Sequence, residues 1–145
     1  MKIVIGSDHA GFELKTALAE YIKELGHELT DHGTYTLDSV DYPDFAHKVA
    51  SDVNDNTAVT GVLVCGSGQG VCMTANKYSQ VRAALVWNLD IAELSREHNN
   101  ANVICLPARF VNVEDAKSFL KIFLKTEFEG GRHERRVNKI AEGIC

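Results

Sequence analysis

The sequence predicts a doubly wound α/β domain: a mostly parallel, five-stranded Rossmann-like sheet with helices on both faces and a helical C-terminal tail. Five short apolar runs recur along the 145 residues, and amphipathic stretches of helical period separate them. Strands of a parallel sheet are covered on both faces and so read as continuous apolar runs rather than alternating ones. A chain of this length with 45% apolar residues fits one domain, residues 1–145, with a real core.

The elements follow in order. "KIVIG" is a short strand, and "GFELKTALAEYIKELG" is an amphipathic helix that Gly26 closes. "HELTDHG" is the second strand. "DYPDFAHKVASDVN" carries Pro43 near its first turn, a position that favours helix opening. "GVLVCG" is the third strand and "GVCMTANKY" the helix after it. "VRAALVW", "LDIAELSREHN" and "NVICLP" continue as strand, helix and strand. "VEDAKSFLKIFLKTEF" is a long helix, and "GGRHERRVNKIAEGI" resumes a helical pattern after two glycines. No linker, repeat or low-complexity tract interrupts this alternation.

Composition narrows the function. A net charge of −5 with both signs interspersed argues against a nucleic-acid partner. The first apolar run is too short for a signal peptide, since Asp8 and His9 follow at once. No stretch approaches the roughly 18 apolar residues of a membrane span. The cysteines at 65, 72, 105 and 145 form no C-x-x-C pair, which excludes a zinc knuckle or a thioredoxin-type motif. A cytoplasmic protein with reduced thiols is the expectation.

In open α/β sheets ligands bind beyond the C-terminal strand ends. Four loops there hold unusual residues: "SDHAG", "CGSGQG", "NLD" and "PARF". "GSGQG" lacks the G-x-G-x-x-G spacing of a dinucleotide site and the Gly-Lys-Ser/Thr ending of a P-loop. A cysteine phosphatase would need Arg at the position of Val71. What remains is Cys65 beside the amides of Gly66, Gly68 and Gly70, near Asp8 and His9. Backbone amides and a helix N-terminus favour a thiolate, and the same amides stabilise an oxyanion. A base beside an oxyanion hole suits proton abstraction α to a carbonyl, the step an aldose–ketose isomerisation requires. Asp8 also reads as a helix N-cap, and Cys72 and Cys105 as small buried hydrophobes. "SREHNNANV" brings His98 and Asn99 next to the fifth strand. Arg132 and Arg136, i and i+4 on the tail helix, suit a phosphate, whereas Arg135 and Lys139 mark a neighbouring, solvated face. His27, His32 and His47 read as surface or packing residues.

Taken together, "GSDHAGFELK", "DHGTY", "DYPDFA", "CGSGQG", "ANK", "RAAL", "LSREHNNANV" and "FEGGRHERRV" closely resemble the type B ribose-5-phosphate isomerases, a superfamily shared with the galactose-6-phosphate isomerase subunits. These pieces span nearly the whole chain in order. The resemblance implies a homodimer or dimer of dimers that acts on a small sugar phosphate without metal or organic cofactor. It implies Cys65 as the base between C2 and C1; no acid stands between Cys65 and Lys77, which places the chain in the cysteine branch rather than the glutamate branch. Ser67 stands where many relatives have Thr and polarises the substrate oxygen. Gly66, Gly68 and Gly70 match the anion hole. His98 matches the residue that opens the furanose ring, with Asp8 across the sugar and His133 competing for the task. His9, Arg132 and Arg136 match phosphate contacts, Asn99 a sugar-hydroxyl contact, and Arg109 a phosphate contact given across the dimer. Hexose 6-phosphates such as allose or galactose 6-phosphate are the alternative substrates. A non-catalytic sugar-phosphate sensor would keep the arginines and have no need of the thiol.

Overall fold

The computed structural model describes residues 1–143. The expected tail helix reaches Ile144, which, like Cys145, lies outside the described residues. Five strands, β1 (Lys2–Ser7), β2 (Glu28–Asp31), β3 (Thr60–Cys65), β4 (Ala83–Leu85) and β5 (Val103–Pro107), form one sheet in the order β2-β1-β3-β5-β4. Every pairing is parallel, where the sequence predicted a mostly parallel sheet. Six helices accompany them among the described residues: α1 (Phe12–Glu24), α2 (Tyr42–Asn54), α3 (Gln69–Ala75), α4 (Leu89–Glu97), α5 (Val113–Lys125) and α6 (Arg132–Asn138).

Burial explains the order. All residues of β3 and β5 are buried, as strands covered on both faces must be. The edge strand β2 instead alternates exposed and half-buried residues. One face of the sheet packs Ile3, Ile5, Val62, Val64, Ile104 and Leu106 against α1, α4 and α5. In α5 the buried residues Ala116, Phe119, Leu120 and Phe123 recur at helical spacing and form one apolar stripe. The other face packs Val4, Leu63, Cys65 and Cys105 against α2 and α3. Both faces are therefore closed, which is the doubly wound arrangement.

Pro43 lies in the first turn of α2, as the sequence predicts. Asn88 and Asn112 cap α4 and α5 by accepting from the amides of Ile91 and Asp115, each at 2.8 Å. Most elements are a few residues shorter than the periodicity implies. The largest difference is the tail, where the helix ends at Asn138. Lys15 departs from the amphipathic pattern of α1: its side chain is 2% exposed and its Nζ pairs with Asp31 Oδ2 at 2.7 Å, tying α1 to the end of β2. No helix among the described residues is long and apolar enough to cross a membrane.

Candidate functional site

The chain turns from β1 to β2 on one side and then to β3 on the other, so the crevice between the β1 and β3 loops is the switch point of the sheet. A cleft of about 410 Å³ opens there, lined by Asp8, His9, Ala10, Tyr42, Cys65, Gly66, Ser67, Gly70, Arg109 and Phe110. Three of the four loops expected to converge do so. The fourth, "NLD", does not, because β5 lies between β3 and β4 and displaces β4 to the sheet edge. Leu85 and Trp87 line an adjoining groove with Ser67, Gln69, Pro107 and Phe110.

Local folding fixes each side chain. Cys65 ends β3 and is 4% exposed; its carbonyl accepts from Ala108 N at 2.9 Å, and the Gly66 carbonyl accepts from Arg109 N at 3.0 Å. These two bonds fasten the β5 loop to the β3 loop, and the Arg109 guanidinium lies over Gly66. Arg109 thus belongs to the cleft of its own chain. The resemblance implied a phosphate contact given across a dimer; within one chain, the adjacency of β5 and β3 sets Arg109 beside Cys65 and Gly66. Asp8 is 8% exposed and its Oδ1 accepts from Gly11 N at 3.1 Å, but the N-cap of α1 is Gly11, so Asp8 braces the turn before the helix instead of capping it. His9 Nδ1 accepts from Val40 N at 3.1 Å, which leaves the ring proton on Nε2 as a donor for an anion.

Gly68 has φ +74°, a left-handed conformation that caps α3, and any Cβ there would collide with Leu85. A Cβ at Gly70 would land on the Tyr42 ring. The glycines therefore let the loop turn and admit Tyr42; Gly66 and Gly70 line the cleft beside the leading amides of α3, and Gly68 is not among its lining residues. Those leading amides have no intrahelical partners. Ser67 is exposed, and its Oγ accepts from Gln69 N at 3.4 Å. Tyr42 is a cleft residue that the sequence reading missed. Its only signal was its place immediately before Pro43, at the mouth of α2.

The other thiols behave as packing residues. Cys105 is fully buried, and burial, followed by the hydrogen bond to Cys72, pushes its thiol well above the ordinary value. Cys72 is half-buried and donates to the Ala83 carbonyl at 3.3 Å; its hydrogen bond with Cys105 draws its thiol down against burial. His32 faces Asp52 at 2.7 Å and His47 faces the Tyr78 hydroxyl at 2.8 Å, away from the cleft.

His98, Asn99, Arg132 and Arg136 do not line the cleft. Gly61 faces Val103 at the start of β3 and Cys65 faces Pro107 at its end. At about 3.3 Å per residue, the strand holds those two edges on the order of 13 Å apart. α4 runs back along the sheet, so His98 at its C-cap lies near the N-terminal edge, where the Asn102 carbonyl accepts from Gly61 N. Asn99 lines a separate cavity with Asn76, Arg82 and Ile140. α6 joins the same edge. His133 stacks on His98 with ring centroids 4.2 Å apart and planes 12° from parallel, and Glu129 N donates to the Glu97 carbonyl at 3.1 Å. Arg132 and Arg136 are exposed one turn apart on α6, while Arg135 and Lys139 line a different surface hollow with Glu134 and Glu142. His98, Glu129 and His133 bring ligand atoms within 4.8 Å of one another. Because the rings are parallel, their in-plane lone pairs run side by side and do not converge on one ion.

Comparison with known proteins places the chain among sugar-phosphate enzymes. The family model described as ribose/galactose isomerase matches residues 3–140. A probable ribose-5-phosphate isomerase B of Mycoplasma genitalium is 47% identical over 140 residues, covering 95% of this chain and 92% of that one. The crystal structure of a ribose 5-phosphate isomerase of Thermotoga maritima is similar with TM-score 0.95 and 50% identity, covering 97% of each chain. The Mycoplasma genitalium ribose-5-phosphate isomerase B, solved with bound ribulose-5-phosphate, is similar with TM-score 0.94 and 46% identity, covering 97% of this chain and 93% of that one.

Proposed function

Because the chain belongs to the ribose/galactose isomerase family, we propose that it interconverts ribose 5-phosphate and ribulose 5-phosphate through an enediolate, with Cys65 as general base. The observation that carries this reading is one cleft lined by Cys65, Gly66, Ser67, Gly70, Asp8, His9 and Arg109. The Cys65 thiolate takes the C2 proton of the open-chain aldose. Charge moves to the carbonyl oxygen, where the amides of the 66–70 loop and the Ser67 hydroxyl stabilise it. Cys65 returns a proton to C1, and a proton passes between the two oxygens. No net electrons enter or leave, so the residues themselves account for the chemistry. Arg109 and the His9 Nε2–H hold the phosphate. A thiol base works in a reducing compartment, so the reading includes a cytoplasmic setting.

The reading also includes a homodimer whose second copy brings His98, Asn99, Arg132 and Arg136 to the cleft. Within one chain they stand at the wrong edge of the sheet, while Phe110 at 75% and Trp87 at 53% exposure leave apolar surface at the cleft rim. Contiguous apolar surface beside a site favours a docked protein partner, and an isologous pair repeats the contact twice.

Ketose formation from ribose 5-phosphate tests the activity, with allose 6-phosphate and galactose 6-phosphate run alongside. The pentose phosphate is expected to be the preferred substrate. A hexose preference would move the assignment to the six-carbon sugars, and no ketose above a buffer blank from any of them would leave a sugar-phosphate-binding protein. His98→Asn is expected to depress turnover of ribose 5-phosphate, which is a furanose, far more than turnover of ribulose 5-phosphate. The esterified C5 oxygen of the ketose leaves no furanose to open. Equal losses in both directions would assign His98 a structural role.

A further inference from the structure

We infer that His133 is a positioning residue for ring opening: a buried imidazole stacked on His98 that fixes the plane in which His98 meets the sugar. The inference rests on His98 as the ring-opening group. His98 is the more exposed of the two, with its side chain 38% exposed, and its Nε2 lies 3.7 Å from Glu129 Oε2. His133 is 7% exposed, and its Nε2 is buried without a hydrogen-bond partner. An orphaned buried nitrogen is tolerated far better on a neutral ring than on an imidazolium.

The surroundings disfavour a charge on that ring. Burial is the first cause that lowers His133 below the ordinary histidine value, and the charges of His98 on α4 and of Arg132 and Arg136 on its own helix act in the same direction. Only Glu129, in the loop between α5 and α6, opposes them. His98 is the partner that faces solvent and Glu129. The loop is itself held: Glu129 N donates to the Glu97 carbonyl, and Arg96 Nε donates to the Thr126 carbonyl at 3.0 Å. These contacts keep α6 against the end of α4, and the stack converts that docking into a fixed ring orientation. The arrangement divides the labour between the histidines: His98 meets the sugar and His133 supplies the wall.

Turnover of His133→Leu and His133→Phe in both directions tests this, with His98→Asn as the reference. His133→Leu removes the flat ring. It is expected to lower turnover of ribose 5-phosphate on the order of tenfold to a hundredfold, as misplacing a reacting group does, and to leave consumption of ribulose 5-phosphate near wild type. His133→Phe keeps a flat ring without a titrating nitrogen and is expected to retain most of the forward turnover. Equal losses of His133→Leu in both directions, or His133→Phe as impaired as His133→Leu, would overturn the inference. If His133→Leu does not fold, His133→Phe decides alone, because a large forward loss there means that the nitrogen itself is required. Absence of any asymmetry in His98→Asn would instead remove the ring-opening assignment on which the inference stands.

Discussion

Replacing Cys65 by alanine is expected to lower turnover of ribose 5-phosphate about 10²–10⁴-fold, the usual contribution of a general base. Binding of the sugar phosphate should change little. The groups proposed to hold the anion, Arg109, His9 and the amides of the 66–70 loop, are tied in by backbone hydrogen bonds that do not involve the thiol. Neither of the other cysteines that are free in the structure can take over. Cys105 is fully buried and its thiol is pushed up, while Cys72 faces the Ala83 carbonyl outside the cleft. A KM near wild type with a collapsed kcat is the signature, because it marks an interaction made only as the proton moves. A raised KM with kcat intact would assign Cys65 to binding instead.

Chain mixing should give the second large effect. Cys65→Ala chains and chains carrying both Arg132→Ala and Arg136→Ala are each expected to be nearly inactive, since each lost charged hydrogen bond costs about 1.5–3 kcal/mol. A hybrid dimer of the two has one site with Cys65 from one copy and both arginines from the other. Random exchange should therefore restore roughly a quarter of wild-type activity in a two-fold symmetric pair. The companion mixture separates this geometry from its alternative. Cys65 and Arg109 line the same cleft of one chain, so mixing Cys65→Ala with Arg109→Ala should restore nothing. Rescue in the second mixture and not the first would mean that Arg109 is the residue crossing the interface. A monomer by light scattering would remove the shared site.

The fold was legible because parallel sheets write themselves plainly. The runs "GVLVC" and "VICLP" are apolar on every position since both faces of β3 and β5 are covered. Cys65, Asp8 and His9 were legible for a related reason, as each lies within three residues of the C-terminal end of such a run. Strand order was not. Nothing local to "NVICLP" shows that it inserts between β3 and β4, and that insertion carries Arg109 into its own cleft and "NLD" out of it. His98 shows a second limit. Periodicity places it beside the fifth strand but not at which end, and α4 runs it to the N-terminal edge, away from Cys65. Tyr42 escaped because its role depends on the missing Cβ of Gly70, a contact between elements 28 positions apart in the chain.

The central claim, that Cys65 moves the proton between C2 and C1, is tested most directly with ribose 5-phosphate deuterated at C2. NMR follows departure of the deuteron from C2 in a single turnover, whether it reappears at C1 or in solvent. In the wild-type enzyme it should leave at the rate at which ketose forms, and in Cys65→Ala about 10²–10⁴-fold more slowly. A deuteron that leaves C2 of the Cys65→Ala enzyme at the wild-type rate would contradict the claim and place the base on another residue of the cleft.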